Sequence, residues 1–317
     1  MTTGKIVVLG SLNMDLSIRV PRLPRPGETV AGTEMVRGTG GKGANQALAA
    51  RRLGAQVALV GVVGADQFGA ELRDDLAASG VDVSGVAVAS EVATGVALIV
   101  VDPDGENMIT ISPGANATLT APDLRAQLDG AHALLLQLEV PVDACRVAAD
   151  AARSAGVPVV LNAAPLPDHP SDDLAELIRG SDVLVVNETE ATGLAGGAAS
   201  ANDAARILRD LGVPEVVVTL GEHGAIAADR TGVTHVPAFS VDAVDAVGAG
   251  DAFCAEFALA RTAGGADLAT ATRRACAAGG LAASRPGAAA SLPHRDEVDR
   301  LFGAPTYDSA EVTIHAT

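Results

Sequence analysis

Residues 133–162 read ALLLQLEVPVDACRVAADAARSAGVPVVLN, in which an Ala-rich run joins two apolar runs. The apolar residues of 133–137 and 157–162 are continuous rather than alternating, which is typical of strands buried on both faces of a parallel sheet. The Ala-rich run at 143–155 predicts the helix between them, because parallel neighbours need a long crossover. Gly156 follows that run, where a helix C-terminus is expected. The stretch therefore predicts a strand–helix–strand unit.

The same alternation extends along most of the chain. Further buried strands are predicted at 6–9, 57–63, 183–186 and 216–220, and further helices at 43–53, 67–79, 201–211, 249–263 and 267–283. Gly54, Gly80 and Gly212 lie at the expected ends of three of these helices. Such regular alternation predicts an α/β fold, a three-layer sandwich around a mostly parallel central sheet. We expect one domain over residues 1–302 and a loosely ordered tail at 303–317.

Two segments, 13–37 and 93–112, interrupt the alternation and have the pattern of exposed β-structure. The second predicts a hairpin with strands at 94–101 and 106–111 and a turn at Asp102-Pro103-Asp104-Gly105. Together the segments could form a small β-sheet lid over the α/β body, or they could extend the edge of the main sheet. A lid would suit a reaction from which water must be excluded.

Composition excludes several classes of partner. The net charge of −17 and the pI near 4.6 argue against nucleic acid or an anionic membrane as a partner, since both require a basic surface. The three cysteines, Cys145, Cys254 and Cys276, are widely spaced without a CxxC motif, so we expect reduced thiols in a cytoplasmic protein. The histidines lack metal-ligand spacing, and we find neither a signal peptide nor an apolar stretch of transmembrane length.

Residues 245–253, DAVGAGDAF, lead into a helical run. Small residues at 248–250 let backbone N–H groups approach an anion at the positive end of a helix, and Asp251 adds a carboxylate there. A carboxylate beside an anion site is unfavourable unless it has a task, such as accepting a proton from an attacking hydroxyl. The segment thus indicates phosphoryl transfer, or else an ordinary helix start with an early Asp.

Residues 38–43, GTGGKG, match the dinucleotide-binding pattern GxGxxG, but the preceding residues are too polar for a buried first strand. The segment is also not a Walker A loop, since Gly43 stands where Ser or Thr is needed. A Gly-rich turn feeding a helix fits better, with Lys42 and Asn45 at the helix's positive end, able to bind hydroxyls or phosphate. A tight turn with a helix cap is the alternative.

Further polar residues follow predicted strands, where ligands of open α/β sheets bind. Asn13 and Asp15, two apart after the first strand, suit a grip on two adjacent hydroxyls, or an Asx-turn. Glu139 is another carboxylate at a strand end. Asn187 and Glu190 would share one helix face and suit a water-rich Mg²⁺ site, or form a capping box. The turn at 219–224 could approach a flat or phosphate-bearing ligand, or be a plain turn.

Taken in order, these segments resemble the ribokinases of the PfkB carbohydrate kinase family. The similarity runs from about residue 5 to 302 and rests on GSLNMD at 10–15, PGETV at 26–30, GGKGANQA at 40–47, TGVALI at 94–99, GEN at 105–107, GANA at 114–117, QLE at 137–139, NETE at 187–190, TLG at 219–221 and GAGD at 248–251. Each piece alone is weak, but the ordered set is specific. The resemblance implies the α/β sandwich with a β-lid, dimers formed through the lid, and transfer of phosphate from ATP to O5 of D-ribose.

The resemblance also implies roles for individual residues. Asp251 would be the catalytic base, and the N–H groups of Gly248, Ala249 and Gly250 would form the anion hole. The sugar would bind to Asn13, Asp15, Gly41, Lys42, Asn45, Glu139 and Asp251. Mg²⁺–ATP would be organised by Asn187 and Glu190, and the nucleotide would be lined by Thr219, Leu220, Gly221, Glu222, His223, Gly224, Gly250 and Cys276.

A monovalent cation, K⁺, would bind at Asp245, Val247, Ala282, Arg285, Gly287 and Ser291. The alternative is that Arg285 neutralises Asp245 directly and no ion binds there. Two positions depart from the family pattern. Cys276 stands where a polar or imidazole side chain is common near adenine, and Ala255 stands where Gly is frequent.

Rival functions remain open from the sequence. A related kinase could act on deoxyribose, a ketose or a nucleoside, although segments 11–37 and 93–112 contain no Phe, Tyr or Trp on which a base could stack. A non-catalytic sugar sensor is disfavoured by the intact Asp251 and its glycines. An NAD-dependent oxidoreductase would rest on the GxGxxG match alone.

Overall fold

The structure is a computed structural model that describes residues 4–103, 105–120, 123–167 and 170–303. Its strands are β1 Lys5–Leu9, β2 Asn13–Arg19, β3 Val36–Gly40, β4 Gln56–Gly64, β5 Asp82–Ala89, β6 Gly95–Val101, β7 Asn107–Ser112, β8 Ala133–Gln137, β9 Val159–Asn162, β10 Val183–Asn187, β11 Glu215–Thr219, β12 Ala225–Asp229 and β13 Gly232–Val236. Its α-helices are α1 Lys42–Arg52, α2 Gln67–Ala78, α3 Arg125–Leu128, α4 Val142–Ser154, α5 Asp172–Arg179, α6 Glu188–Leu194, α7 Ala201–Asp210, α8 Ala249–Ala258, α9 Leu268–Ala283, α10 Ala288–Ser291 and α11 Arg295–Phe302.

The main sheet has nine strands in the order β13-β12-β11-β10-β9-β8-β1-β4-β5. The seven strands from β11 through β1 to β5 in this order pair in parallel with one another. Strands β12 and β13 then add an antiparallel edge. Side chains of β1 alternate between two cores, with Ile6 and Val8 packing beside α1, α8 and α9, and Val7 and Leu9 beside α4, α5 and α7. The predicted three-layer α/β sandwich is therefore confirmed.

The two interrupting segments form one four-stranded sheet, β3-β2-β6-β7, which is separate from the main sheet. Strand β2 pairs in parallel with β6 and antiparallel with β3, and β7 completes the hairpin with β6. The prediction of a small separate sheet is confirmed, and the alternative of an edge extension is wrong. Because only three residues separate the end of β1 from the start of β2, the lid lies at the carboxyl ends of the main-sheet strands.

Several local expectations differ from the structure. Strands β5, β12 and β13 were not predicted, because the edge strand β5 is only partly buried and β12 is Ala-rich. The run at 249–263 is α8 followed by a π-helical turn at Leu259–Ala263. The glycines expected at helix ends have positive φ values from 69° to 112°. Nearly all of the predicted tail lies outside the described residues.

Candidate active site

Four segments meet where the lid joins the carboxyl edge of the main sheet. They are the link from β1 to β2, the start of α1, the residues after β8 and the first turn of α8. The meeting point depends on close backbone approach: a Cβ on Gly43 would lie 2.5 Å from the backbone of Gly10 and Ser11, so only glycine lets α1 begin there. The fold thus brings residues far apart in sequence into one cleft.

Glu139 is held firmly at the bottom of this cleft. Its Oε2 accepts a hydrogen bond from Ser11 Oγ at 2.5 Å and another from the backbone N–H of Lys42 at 3.0 Å. Ser11 Oγ in turn accepts from the N–H of Gly43 at 3.3 Å. One carboxylate therefore ties β8, the β1–β2 link and α1 together, and its other oxygen is left to face a ligand.

Asn13 and Asp15 lie on β2, two residues apart and on one face, as predicted. Asn13 is buried, and its Oδ1 accepts from Asn116 Nδ2 at 2.8 Å. The side chain of Asn116 also bonds the backbone N–H and carbonyl of Leu12. Asn116 therefore fixes the amide of Asn13, so the Nδ2 of Asn13 remains to donate.

The carboxylate of Asp15 lies directly over Gly40 of β3, where a Cβ would be 2.0 Å from Asp15 Oδ1. Burial, followed by the neighbouring carboxylates of Glu139 and Asp251, raises the pKa of Asp15 to about 7. Such a shift marks a carboxylate that lacks a compensating cation or donor. A ligand hydroxyl would supply that missing donor.

The Lys42 ammonium is the cation of the cleft. Burial alone would lower the pKa of Lys42, but the surrounding carboxylates, chiefly Asp251 and Glu139 and also Glu190, raise it. Lys42 thus stays charged and lies between the segment holding Glu139 and the segment holding Asp251. An anionic group entering the cleft would meet this positive charge.

Asp251 is buried in the first turn of α8, three residues after the N-cap Gly248, whose φ is 81°. Its Oδ2 accepts from Asn45 Nδ2 and its Oδ1 accepts from Gln46 Nε2, both at 3.1 Å. Burial raises its pKa to about 6, although Lys42 and the two amides oppose the shift. Asp251 is therefore a base whose pKa lies close to neutrality.

Not every backbone amide near Asp251 is free to bind an anion. The N–H of Ala249 donates to the carbonyl of Ala246 at 3.2 Å. A Cβ on Gly250 would meet no described atom within 4 Å, so this glycine borders open space at the helix's positive end. A phosphate can approach the backbone there.

Asn187 and Glu190 form the capping box that was the alternative to a metal site. Asn187 Oδ1 accepts from the N–H of Glu190, and Glu190 Oε2 accepts from the N–H of Asn187, both at 2.8 Å. Among the described residues, no group of three or more His, Cys, Asp and Glu side chains forms a metal-binding cluster. One oxygen of Glu190 is outside the capping box, which fits a hydrated Mg²⁺ bound mainly through water and phosphate.

The predicted nucleotide turn follows β11. Residues Gly221–His223 form a 3₁₀ turn closed by the bond from the Leu220 N–H to the Gly224 carbonyl at 2.8 Å. The side chains of Glu222 and His223 are exposed, so this turn offers backbone and open space to a ligand. Cys276 is buried in α9, the helix that packs on α8, and burial raises its pKa to about 12.

The two halves of the predicted cation loop lie side by side. Asp245 accepts from the N–H of Val247 at 3.0 Å and from that of Gly287 at 2.8 Å. Arg285 pairs with Glu297 instead, so the alternative in which Arg285 neutralises Asp245 is wrong. The remaining residues of the loop, Ala282 and Ser291, are buried in the same region. The carboxylate of Asp245 therefore bridges the two halves of the loop.

The sequence did not assign several residues of the cleft. These are the buried polar side chains that hold the predicted ones, namely Ser11, Gln46, Asn116, Gln137 and Asn162. A signal was present, since Gln137 and Asn162 end otherwise apolar strands and Gln46 lies within an Ala-rich helix. Buried amides in apolar runs require hydrogen-bond partners, which only the tertiary structure could identify.

Comparison with known proteins agrees with this geometry. The family model for pfkB family carbohydrate kinases matches residues 3–295. The ribokinase of Haemophilus influenzae is 38% identical over 299 residues, covering 92% of this chain and 96% of that protein. The deoxyribokinase of Salmonella typhi is 38% identical over 260 residues, covering 80% and 84%.

A solved structure, Arabidopsis thaliana ribokinase complexed with ribose and ATP, has a TM-score of 0.86 against this chain at 32% identity. The alignment covers 96% of this chain and 100% of that one. Fold and sequence similarity thus agree over nearly the whole length. The chain belongs to the PfkB family of carbohydrate kinases.

Proposed function

We propose that the chain is an ATP:D-ribose 5-phosphotransferase, a ribokinase, that transfers the γ-phosphate of ATP to O5 of D-ribose. The observation that carries the proposal is the buried carboxylate of Asp251 in the first turn of α8, placed beside the Lys42 ammonium in a cleft roofed by a separate β-lid. The similarity to curated ribokinases over most of the chain supports the choice of sugar.

Asp251 would orient the 5-hydroxyl and accept its proton late in the transfer. A carboxylate cannot fully ionise a free alcohol, but a loose phosphoryl-transfer transition state requires only that the hydroxyl be aligned and the proton be removed as the new bond forms. The pKa of about 6 leaves Asp251 ionised at neutral pH. Most of the rate enhancement would come from positioning and from stabilising the anion.

The sugar would lie under the lid. Asp15 would accept from two adjacent hydroxyls, Asn13 would donate through the Nδ2 that Asn116 leaves free, and Glu139 would accept through the oxygen not bonded to Ser11. Gly41, Lys42 and Asn45 complete the grip from the start of α1. Binding would relieve the unfavourable burial of Asp15, because hydroxyl donors replace the water it has lost.

ATP would extend from the open backbone at Gly250 towards the turn at 219–224 and α9. Asn187 and Glu190 would hold Mg²⁺ through water, and the ion would neutralise phosphate charge. We further propose K⁺ at the loop of Asp245, where its role would be structural: it would order the segment that precedes α8.

We propose a homodimer formed through the lid. The lid face that carries Asp15 also carries Val36, Ile109 and Ile111, which are 67%, 46% and 46% exposed. Such a row of exposed apolar side chains on a sheet face is typical of a protein–protein contact. We assign the enzyme to the cytoplasm, where ATP is available and where its buried free cysteines would stay reduced. Among the described residues, no helix is both long and apolar enough to span a bilayer.

The proposal is tested by measuring ADP release with Mg²⁺–ATP across a panel of pentoses, hexoses, deoxyribose and nucleosides. Ribose should give the highest kcat/KM, and the product should be phosphorylated at O5. A higher kcat/KM for deoxyribose, a ketose or a nucleoside would instead select a related kinase of the same family. Ribose binding without ADP release would indicate a non-catalytic sugar sensor.

A further inference from the structure

Three buried amide side chains form a hydrogen-bonded chain that is connected to Asp251. Gln46 Nε2 donates to Asp251 Oδ1 at 3.1 Å and approaches Asn162 Oδ1 at 3.3 Å. Gln46 Oε1 accepts from Gln137 Nε2 at 2.6 Å. Gln46 and Gln137 have no exposed surface and Asn162 is 8% exposed. The chain links α1 to β8 and β9.

The direction of every amide in this chain is set by a backbone carbonyl. Asn162 Nδ2 donates to the carbonyl oxygen of Val185 at 3.2 Å, and a carbonyl can only accept. Asn162 therefore presents its Oδ1 acceptor to Gln46, so the atom of Gln46 that faces it must be the Nε2 donor. The same Nε2 then faces Asp251, and Gln46 Oε1 faces the donor of Gln137. If Gln46 flipped, its oxygen would lie against the Asp251 carboxylate and Asn162 Oδ1, both acceptors.

We propose that Gln46, oriented by Asn162 and Gln137, is the positioning residue that holds the Asp251 carboxylate in the rotamer required for proton transfer. The inference rests on the proposed phosphotransferase function and adds to it a fully buried residue that bonds Asp251 and is not among the proposed sugar-binding side chains. Asn45 holds the second oxygen of Asp251 at 3.1 Å, so the two neighbouring amides fix both oxygens. Each oxygen keeps a further lone pair that a ligand donor could use.

Packing alone does not account for this arrangement. Gln137 Oε1 is buried without a hydrogen-bond partner among the described residues, and burying an unpaired amide oxygen is unfavourable. A Cβ on Gly10 would lie 1.9 Å from that same oxygen, so the backbone of the β1–β2 link is also shaped around this amide. An apolar side chain at 137 would remove the unpaired atom but also the donor that orients Gln46.

The titratable groups around Asp251 are Lys42 on α1, Glu139 after β8, Asp15 on β2 and Cys254 on α8 itself, whose thiol burial keeps neutral by raising its pKa. Against this background the amides of Gln46 and Asn45 lower the pKa of Asp251, because they donate to its charged form. Removing the Gln46 donor should therefore raise that pKa and move the acidic limb of the kcat profile to higher pH.

The test is the pH dependence of kcat between pH 5 and 9 for Gln46→Met, which keeps the side-chain length and removes the amide. With saturating ribose and Mg²⁺–ATP, kcat should fall about 10²-fold, since a misplaced catalytic group loses that much. The acidic limb should move up by about one pH unit. The KM for ribose should stay within about threefold, because Gln46 is fully buried and bonds Asp251 rather than the sugar.

Gln46→Glu is the second variant and keeps the shape of the side chain. Two neighbouring carboxyl groups cannot both ionise easily, so the acidic limb should move further than in Gln46→Met. The matched control is Thr272→Val, which removes another fully buried hydrogen bond, from Oγ1 to the Leu268 carbonyl at 2.8 Å, away from the cleft. This control should leave the shape of the pH profile unchanged.

An unshifted acidic limb in both folded Gln46 variants, or the same shift in Thr272→Val, would overturn the inference. A reduced kcat with an unchanged profile would also overturn it, because that result describes a merely structural residue. Wild-type protein that phosphorylates a different sugar would refute the ribose assignment alone, and the variants would then be measured with that sugar. Wild-type protein without any phosphoryl transfer would overturn both proposals.

Discussion

Helix α8 carries two buried carboxylates, Asp251 and Glu256, whose direct partners differ in charge. Glu256 has no exposed surface, and its Oε1 pairs with Arg274 Nε at 2.6 Å and with Arg295 Nη1 at 3.5 Å. Asp251 is also buried, yet its direct partners are the neutral amides of Asn45 and Gln46. Five residues apart on one helix, one carboxylate is neutralised by guanidinium groups and the other is not.

Under the proposed function, the difference separates a structural charge at Glu256 from a reactive one at Asp251. Arg274 also bonds Asp299, and Arg295 bonds the carbonyl of Leu53, so Glu256 joins α8 to α1, α9 and α11. A guanidinium at Asp251 would hold the proton acceptor in an ion pair and lower its basicity. Amides fix the carboxylate without neutralising it, which leaves it able to accept a proton.

The largest effect is expected at Asp251. Asp251→Asn keeps the size of the side chain but removes the proton acceptor, so kcat should fall about 10²–10⁴-fold with ribose affinity little changed. Steady-state ADP release and a separate measurement of ribose binding test this. Retention of near-normal kcat would falsify the assigned role.

Glu256→Gln should lower the stability of the protein and leave kcat nearly unchanged. Removing one partner of a buried ion pair should lower the free energy of unfolding by about 3 kcal/mol, because Arg274 and Arg295 lose their shared counter-ion. Urea denaturation measures the loss, and kcat per folded molecule should stay within about threefold of wild type. The control is Asp123→Asn in the exposed pair with Arg125, which should leave the urea midpoint unchanged. A comparable drop in kcat would mean that both carboxylates act in the chemistry.

Asp15 tests whether an unpaired carboxylate in the cleft serves binding rather than chemistry. Asp15→Ala should raise the KM for ribose about 10²-fold and that for ATP far less, since sugar hydroxyls would be left unpaired in a closed site. Initial rates with each substrate varied in turn separate the two. A loss of ATP affinity with ribose affinity intact would show that the 10–15 segment binds something else.

The pH dependence of kcat/KM for ribose sharpens the same point. The raised pKa of about 7 means that Asp15 is protonated below that pH, and that both of its oxygens act purely as acceptors only above it. At saturating Mg²⁺–ATP, kcat/KM should therefore rise with pH through about 7, and a second limb near 6 should report Asp251. The upper limb should be missing in Asp15→Ala, and its persistence there would assign it to another group.

The smallest effect is expected at Asp245, which the proposal places outside the reacting groups. Asp245 is held by two backbone N–H groups, and we expect K⁺ beside it to favour the competent arrangement of the segment before α8. K⁺ should raise kcat roughly fivefold and Na⁺ less, and Asp245→Ala should lose the response. KCl titrated against choline chloride at constant ionic strength tests this, and a flat rate after removal of alkali ions would exclude the cation site.

Much of the fold could be read from local patterns. Continuous apolar runs, Ala-rich helices and terminal glycines identified the parallel sheet, because each of these signals depends on neighbours within about a dozen residues. The two lid segments were recognised by the loss of that pattern. The edge strand β5 was missed because partial burial weakens the same signals, and β12 was missed because its composition is Ala-rich.

The cleft was predicted only as a set of separate residues. Asp15, Lys42, Glu139 and Asp251 carried recognisable local motifs, and their ordered resemblance to one family grouped them. Their partners had no such motif, because a buried amide such as Gln46 is defined by what lies opposite it rather than by what lies beside it in sequence.

The sequence motifs could therefore indicate Asp251 as the proposed base, whereas its surroundings required the folded chain. Gln46 and Asp251 are 205 residues apart and meet because α1 packs against α8. The same packing gives Glu256 its two arginines and raises the pKa of Asp15 and Asp251 by excluding water. Hydrogen-bond geometry and burial are properties of groups brought together in space, and residue order alone does not specify them.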